Sequence, residues 1–181
     1  MASPKAAQAE VANAPNQRTK PRTQRITTFL WFNNNAEEAV NFYVSVFKNS
    51  KVLGVVRYGD AGPGPKGSVM IIDFELNDQE FTALNGGPDF KFNEAISLVV
   101  HCKTQEEVDY YWSKLSEGGQ IIDCGWLKDK YGVAWQIVPD VLLDLIQDSD
   151  QQKSQRVMRA MMQMKKLDIE KLKQAAASSG Q

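Results

Sequence analysis

Histidine is nearly missing from this 181-residue chain: there is one, His101, beside two cysteines, Cys102 and Cys124. With no CxxC pair and no Cys/His cluster the sequence offers no zinc site, and two cysteines make no disulfide framework. A reducing, cytoplasmic setting is expected. Neither sign of charge is in excess, since 21 Lys and Arg face 22 Asp and Glu, so bulk charge does not drive the chain toward nucleic acid. Long apolar runs are also absent. Those present are short and strand-like, far below the roughly 20 residues of a membrane-spanning helix, and neither nucleic acid nor membrane is expected as a partner. Residues 1–25 hold one acid, Glu10, and five Lys or Arg, with no apolar core for a secretion signal. They read as a disordered tail; an organelle transit segment is the alternative that an acid-poor start leaves open.

What is present, from Ile26 onward, is an internal duplication. Ile26 to Phe32 reads as a β-branched and aromatic strand. Ala39, Phe42, Tyr43, Val46 and Phe47 then recur with helical spacing after a capping box of Asn35 and Glu38. A shift of 69 residues repeats the pattern: strand Ala95 to His101, capping box Thr104 and Glu107, stripe Val108, Tyr111, Trp112 and Leu115. Three strands follow each helix. In the first half they are Lys51 to Tyr58, Ser68 to Leu76 and Glu80 to Leu84, the first two joined by the hairpin Gly59 to Gly67. In the second half they are Gln120 to Cys124, a short piece near Trp126, and Val133 to Val138.

The expected class is therefore α+β: two βαβββ modules, residues 26–85 and 95–138, forming a cup-shaped half-barrel within a domain at 26–139. A module of this size buries only about 60% of its surface alone, so the two are expected to share a core. Each helix covers one sheet face, and the other, concave face is the place for a ligand. Residues 140–181 read as a helical extension, with Val141 to Gln147, Ser154 to Lys166 and Ile169 to Ala175, the last capped by Asp168. The stripe Val157, Met158, Met161, Met162 and Met164 fits packing on its own domain or an adaptable oligomer contact.

The runs FLWFNNNAEEAVNFYVSVF, ALNGGPDFKFNEAISLVV, EEVDYYWSKLSEGG and CGWLKDKYGVAWQIVP resemble the PhnB-like group, many of whose members carry the label demethylubiquinone methyltransferase, within the vicinal oxygen chelate superfamily. This is the superfamily of the glyoxalase/bleomycin-resistance/dioxygenase fold. The likeness spans about Ile26 to Pro139, and RVMRAMMQMKKLDIEKL is similar to that group's tail. Metalloenzymes of the superfamily hold a divalent metal with His, Glu or Gln from the first and last strand of each half. Carried onto this sequence, those positions fall on Thr28, Ser97, Gln136 and a site near Leu84 or Asn85. Hydroxyls, an amide and an apolar residue grip a divalent ion weakly, so no metal and no cofactor are expected.

The pocket candidates are accordingly Thr28, Phe32, Asn85, Ser97, His101 and Gln136. Strand alternation sets Ser97, Val99 and His101 on one face, matched in the first half by Thr28, Leu30 and Phe32, and turns Trp31 toward the helix. Trp31, Trp126 and Trp135 are aromatic surfaces on which a planar ligand can stack. Asp73 and Glu75 share a face and read as exposed, salt-bridging acids; Asp129 and Lys130 read as a solvated turn. The leading expectation is a homodimeric small-molecule-binding protein without the usual metal site. Its rivals are an enzyme of the same fold, whether the labelled methyltransferase or a metal-dependent glyoxalase- or dioxygenase-type catalyst using His101 and Glu75, and a drug-sequestering resistance protein. A methyl-donor nucleotide site needs a glycine-rich strand-to-helix turn. Gly59 to Gly67 joins strands instead, and Asn85 to Pro88 lies between the halves.

Overall fold

The computed structural model describes residues 9–18 and 20–178. They fall into two compact units, the first ending at Lys91 and the second beginning at Phe92.

In the first unit, α1 (Ala9–Ala12) precedes β1 (Thr28–Phe32), α2 (Ala36–Val46), β2 (Lys51–Arg57), β3 (Val69–Leu76) and β4 (Gln79–Asn85). The sheet runs β1-β4-β3-β2, with β1 parallel to β4 and the other pairs antiparallel. The parallel pair needs a crossover, and α2 supplies it. One face of the sheet is closed by Ala36, Ala39, Val40, Tyr43 and Val46 of α2, all buried, against Leu30, Phe32, Ile72, Phe74, Phe81 and Ala83 of the strands.

The second unit repeats the order: β5 (Leu98–Cys102), α3 (Gln105–Ser116), β6 (Gln120–Ile121), β7 (Trp126–Lys128) and β8 (Ala134–Pro139), arranged β5-β8-β7-β6 with β5 parallel to β8. Val108, Trp112 and Leu115 of α3 are buried, as are Val100, Cys102, Leu127, Trp135 and Ile137 of the sheet. This is an α+β architecture of two mixed four-stranded sheets, neither of them closed into a barrel.

The chain then forms α4 (Asp140–Ile146), α5 (Gln151–Met161) and α6 (Ile169–Ala177). These pack on their own unit through Val138, Leu142, Val157, Leu167, Leu172 and Ala176. The junction is also tied by backbone bonds, Cys124 N to Met164 O and Gly125 N to Lys165 O, both 2.7 Å. The methionine stripe divides: Met161 and Met164 lie against this cluster, while Met158 and Met162 are exposed. Among the described residues no helix is long and apolar enough to cross a membrane.

The expected helix caps fare differently. Thr104 Oγ1 accepts from Glu107 N while Glu107 Oε2 accepts from Lys103 N, a reciprocal arrangement close to the expected box. Asp168 accepts from Lys171 N at the start of α6. Asn35 makes no side-chain cap bond. The first amide of α2, Ala36 N, instead donates to Asn85 Oδ1 at 2.9 Å, so a residue from the end of β4 does the work expected of the neighbouring Asn35.

Candidate functional site

A strand pattern repeats every two residues, so the identity of the helix-free face depends on counting the chain without error. The helices of the two units match at the 69-residue shift, as N-caps Asn35 and Thr104 show. The strands match at 70. Phe32 pairs with the last residue of β4 and Cys102 with the last of β8, and both are buried on the helix side. The difference lies in the loops: Asn33 and Asn34 separate β1 from its cap, whereas Lys103 alone separates β5 from Thr104. One residue flips the face.

The first-unit candidates are therefore corrected. Phe32 is 2% exposed and packs with α2. Thr28 pairs with Phe81 on the same side. Asn85 is a structural hub: besides capping α2, its Nδ2 donates to Val69 O at 3.0 Å and its carbonyl accepts from Tyr58 Oη at 2.6 Å. Trp31, expected against the helix, lies on the open side, in the cross-strand row Val56, Ile71, Leu84, Trp31. Its Nε1 donates to Gly87 O, and its ring meets Phe90 edge-on at 4.9 Å. Gly86 lies beneath that ring, where a Cβ would come within 2.4 Å of its carbons.

In the second unit the expected parity holds. Val99 pairs with Gln136 and Gln136 with Trp126, so these three form one row facing away from α3. Gln136 Nε2 donates to Ser97 Oγ at 2.9 Å. His101 follows on the same face, exposed, with Asp140 Oδ1 3.6 Å from its Nδ1. Trp135 points the other way, 2% exposed, and donates from Nε1 to Asp129 Oδ2 at 2.8 Å.

Asp129 is thus no solvated turn residue. It is buried, and its Oδ1 accepts from Tyr131 N and Val133 N at 2.8 and 3.1 Å. A carboxylate with this many donors fixes both the turn and the Trp135 ring. Sequence reading missed it because the DKYG run has the composition of a surface turn.

The row equivalent to Val99–Gln136–Trp126 in the first unit is Phe29–Thr82–Asp73. Here Asp73 and Glu75, expected as exposed acids, are only 8% and 4% exposed, and Glu80 beside them is 1% exposed. The basic N-terminal segment covers them, so the tail reading does not hold for its described part. Arg18 Nη2 lies 2.7 Å from Glu80 Oε2 and its Nη1 3.6 Å from Asp73 Oδ2. Lys20 pairs with Glu75, and Arg22 Nη2 donates to both oxygens of Asp73 at 3.2 Å. Thr23 Oγ1 donates to Glu80 Oε1 at 3.0 Å, and Thr82 Oγ1 to Asp73 Oδ1 at 2.6 Å.

Charge stabilisation follows. The hydrogen bond from Lys20, against the cost of burial, holds the Glu75 carboxyl below its ordinary value. For Glu80, burial pushes upward most strongly, yet the bonds from Thr23 and Arg18 together bring the carboxyl below the ordinary range. Among the described residues no group of three or more His, Cys, Asp and Glu is placed to hold a metal ion.

Two βαβββ units, each with its outer strands parallel and one face covered by a helix, define a protein of the glyoxalase/bleomycin-resistance/dioxygenase fold. Within that class the chain belongs to the family described as 3-demethylubiquinone-9 3-methyltransferase, whose profile matches residues 24–138. It is the PhnB-like group. The chain is similar to the PhnB protein of Bacillus cereus, at 43% identity over 64% of this chain and 99% of that one, with a TM-score of 0.60. A protein from Pseudomonas aeruginosa shares the fold at 20% identity over 65% of this chain and 98% of its own, with a TM-score of 0.54. No curated protein matches the chain.

Proposed function

We propose that this chain binds a small, planar and partly polar organic molecule on the face of its second sheet turned away from α3, beside the end that the C-terminal helices cover at Val138, without a metal at the positions that ligate one in metalloenzymes of the fold. The observation that carries this reading is the row Val99–Gln136–Trp126 with Ser97 hydrogen-bonded to Gln136. An indole, an isopropyl group and an amide–hydroxyl pair are groups that stack on and hydrogen-bond to a neutral molecule. They are poor partners for a divalent cation, which favours carboxylate, imidazole or thiolate. In the first unit the same register puts Phe29, Thr82 and Asp73 at the twin positions, where the one carboxylate is already held by Thr82 and Arg22. His101 borders the row and is available as a hydrogen-bonding group rather than as one member of a ligand set.

The test is a thermal-shift and calorimetric screen of quinones and other planar carbonyl compounds against the intact protein, followed by Q136A. Loss of one net hydrogen bond to the ligand is worth about 1 kcal/mol, so Q136A should weaken a hit about fivefold to tenfold. Stoichiometric zinc, nickel, iron or manganese surviving dialysis would reject the metal-free part of the proposal. Saturable binding of S-adenosylmethionine would favour the activity in the family's description over simple binding. The protein is further proposed to act as a homodimer, supported by Ile26 and Ile96, which occupy equivalent positions before β1 and β5 and are both strongly exposed. Sedimentation at micromolar concentration decides that point, and a monomer would remove it.

A further inference from the structure

The acids Asp73, Glu75 and Glu80 are not demanded by the fold. In the second unit the strand register puts Trp126, Lys128 and Ala134 at their places, and Lys128 pairs with Glu94 instead. A sheet face can therefore be built here without a carboxylate. Glu75 and Glu80 are also direct cross-strand partners, a like-charge arrangement that destabilises a sheet unless cations lie over it. The cations come from Arg18, Lys20 and Arg22, which step along the segment by two, with Lys51 of β2 as a fourth, 3.6 Å from Glu75.

The segment wraps the free edge of the sheet. Val11 is buried on the α2 side, where its amide donates to Asn41 Oδ1. At the edge strand β2, the amide of Val55 donates to Pro15 O at 3.0 Å. The chain then crosses to the helix-free face, pressing so closely on Gly54 that a Cβ there would lie 2.7 Å from the Arg18 backbone. A glycine inside a strand marks such an approach. The hold is mainly ionic, and two of the three cations remain open to water, with side-chain exposures of 36% for Lys20 and 49% for Arg22.

We propose that residues 15–18 and 20–23 form a charge-held latch over the helix-free face of the first sheet, closed at low ionic strength and opened by screening, so that the acidic row Asp73, Glu75 and Glu80 is covered or uncovered while the sheet stays intact. At about 1 M salt the Debye length is about 3 Å, so screening weakens first the pairs made by Lys20 and Arg22, whose cations are open to water, and less the buried Arg18–Glu80 pair. The carboxylates left behind then regain water. If ligands bind sheet faces turned away from the crossover helices, as proposed above, the closed latch keeps this row from them; that consequence rests on the binding reading, whereas the latch does not.

Amide exchange on the full chain, followed residue by residue at constant pH, tests it. The Val55 amide reports the latch, and the amides of Phe81 and Ala83 in the central strand β4 report the sheet. From low salt to about 1 M salt, Val55 should exchange about tenfold faster or more, with Phe81 and Ala83 unchanged. R18Q/K20Q/R22Q should give fast Val55 exchange already at low salt and abolish the salt response. G54A, which leaves every charge in place, should also speed Val55 exchange by pushing the segment off. Val55 exchange indifferent to salt overturns the latch, as does exchange that rises in step with Phe81 and Ala83. If the triple variant fails to fold, the wild-type salt series and G54A still decide.

Discussion

Two residues, Asp129 and Asn85, show how much of this protein is fixed by single polar side chains buried far from solvent. Asp129 accepts from two backbone amides and from the Trp135 indole. Replacing it with Ala leaves those donors buried and unpaired, at about 1–3 kcal/mol for each group that water cannot reach. D129A should therefore cost about 3 kcal/mol or more in urea unfolding and shift the fluorescence of Trp135; a loss below about 1 kcal/mol would show that the turn does not need the carboxylate. Cys102 offers a chemical check at the same scale. Burial, with Glu107 and Asp140 nearby, pushes its thiol up to about 12, so the thiolate that reacts is scarce at neutral pH. Native protein should leave Cys102 unlabelled by iodoacetamide at pH 8, and rapid labelling would mean that β5 opens readily.

At the scale of elements, α2 and α3 occupy equivalent places but begin differently. Thr104 caps α3 from within its own loop, the ordinary device, and T104A should lower stability by about 1 kcal/mol. The cap of α2 comes from β4 through Asn85, which also binds Val69 and Tyr58. N85A should hence cost more than T104A, about 2–3 kcal/mol, because it leaves both the Ala36 amide and the Val69 carbonyl buried without their side-chain partner, while the backbone carbonyl that accepts from Tyr58 stays in place. Paired denaturation curves of the two variants check the order. Thr104 was legible in the sequence, since a Thr-x-x-Glu run before a helical stripe carries its own mechanism. Asn85 was not: its partner Ala36 is 49 positions away, and no local pattern records such a bond. The placement of Trp31 failed for a related reason. The helical stripes gave the shift between units, but a one-residue difference in the loops reversed strand parity, and the sequence alone did not say where each strand ended.

At the scale of the whole molecule, charge ties the N-terminal segment to the first sheet, and this gives a pH dependence of known sign. The folded carboxyls of Glu75 and Glu80 titrate below their ordinary value of 4.5. Their contribution to stability is then fully present above about pH 4.5 and is lost as pH falls through the lower folded values. Urea midpoints between about pH 3 and 6 should drop steeply in the wild type and less steeply in E75Q/E80Q; equal slopes would place the acid sensitivity elsewhere. In the second unit, cohesion comes from the apolar cluster around Leu167 and Leu172. L172A should cost about 2–5 kcal/mol there, and its effect should be nearly independent of salt, unlike that of the N-terminal charges.

By itself the sequence determined the duplication, the two helices with their buried stripes, the run of strands after each and the terminal helix capped by Asp168, because periodicity and local caps are written in neighbouring residues. Tertiary structure alone decided which strand residues face away from the helices, which side chain caps α2, and that a basic N-terminal stretch lies against three buried acids. Those outcomes depend on loop lengths counted to the residue and on contacts between positions some fifty apart in the chain, where burial, not composition, sets whether a charge meets water or a partner.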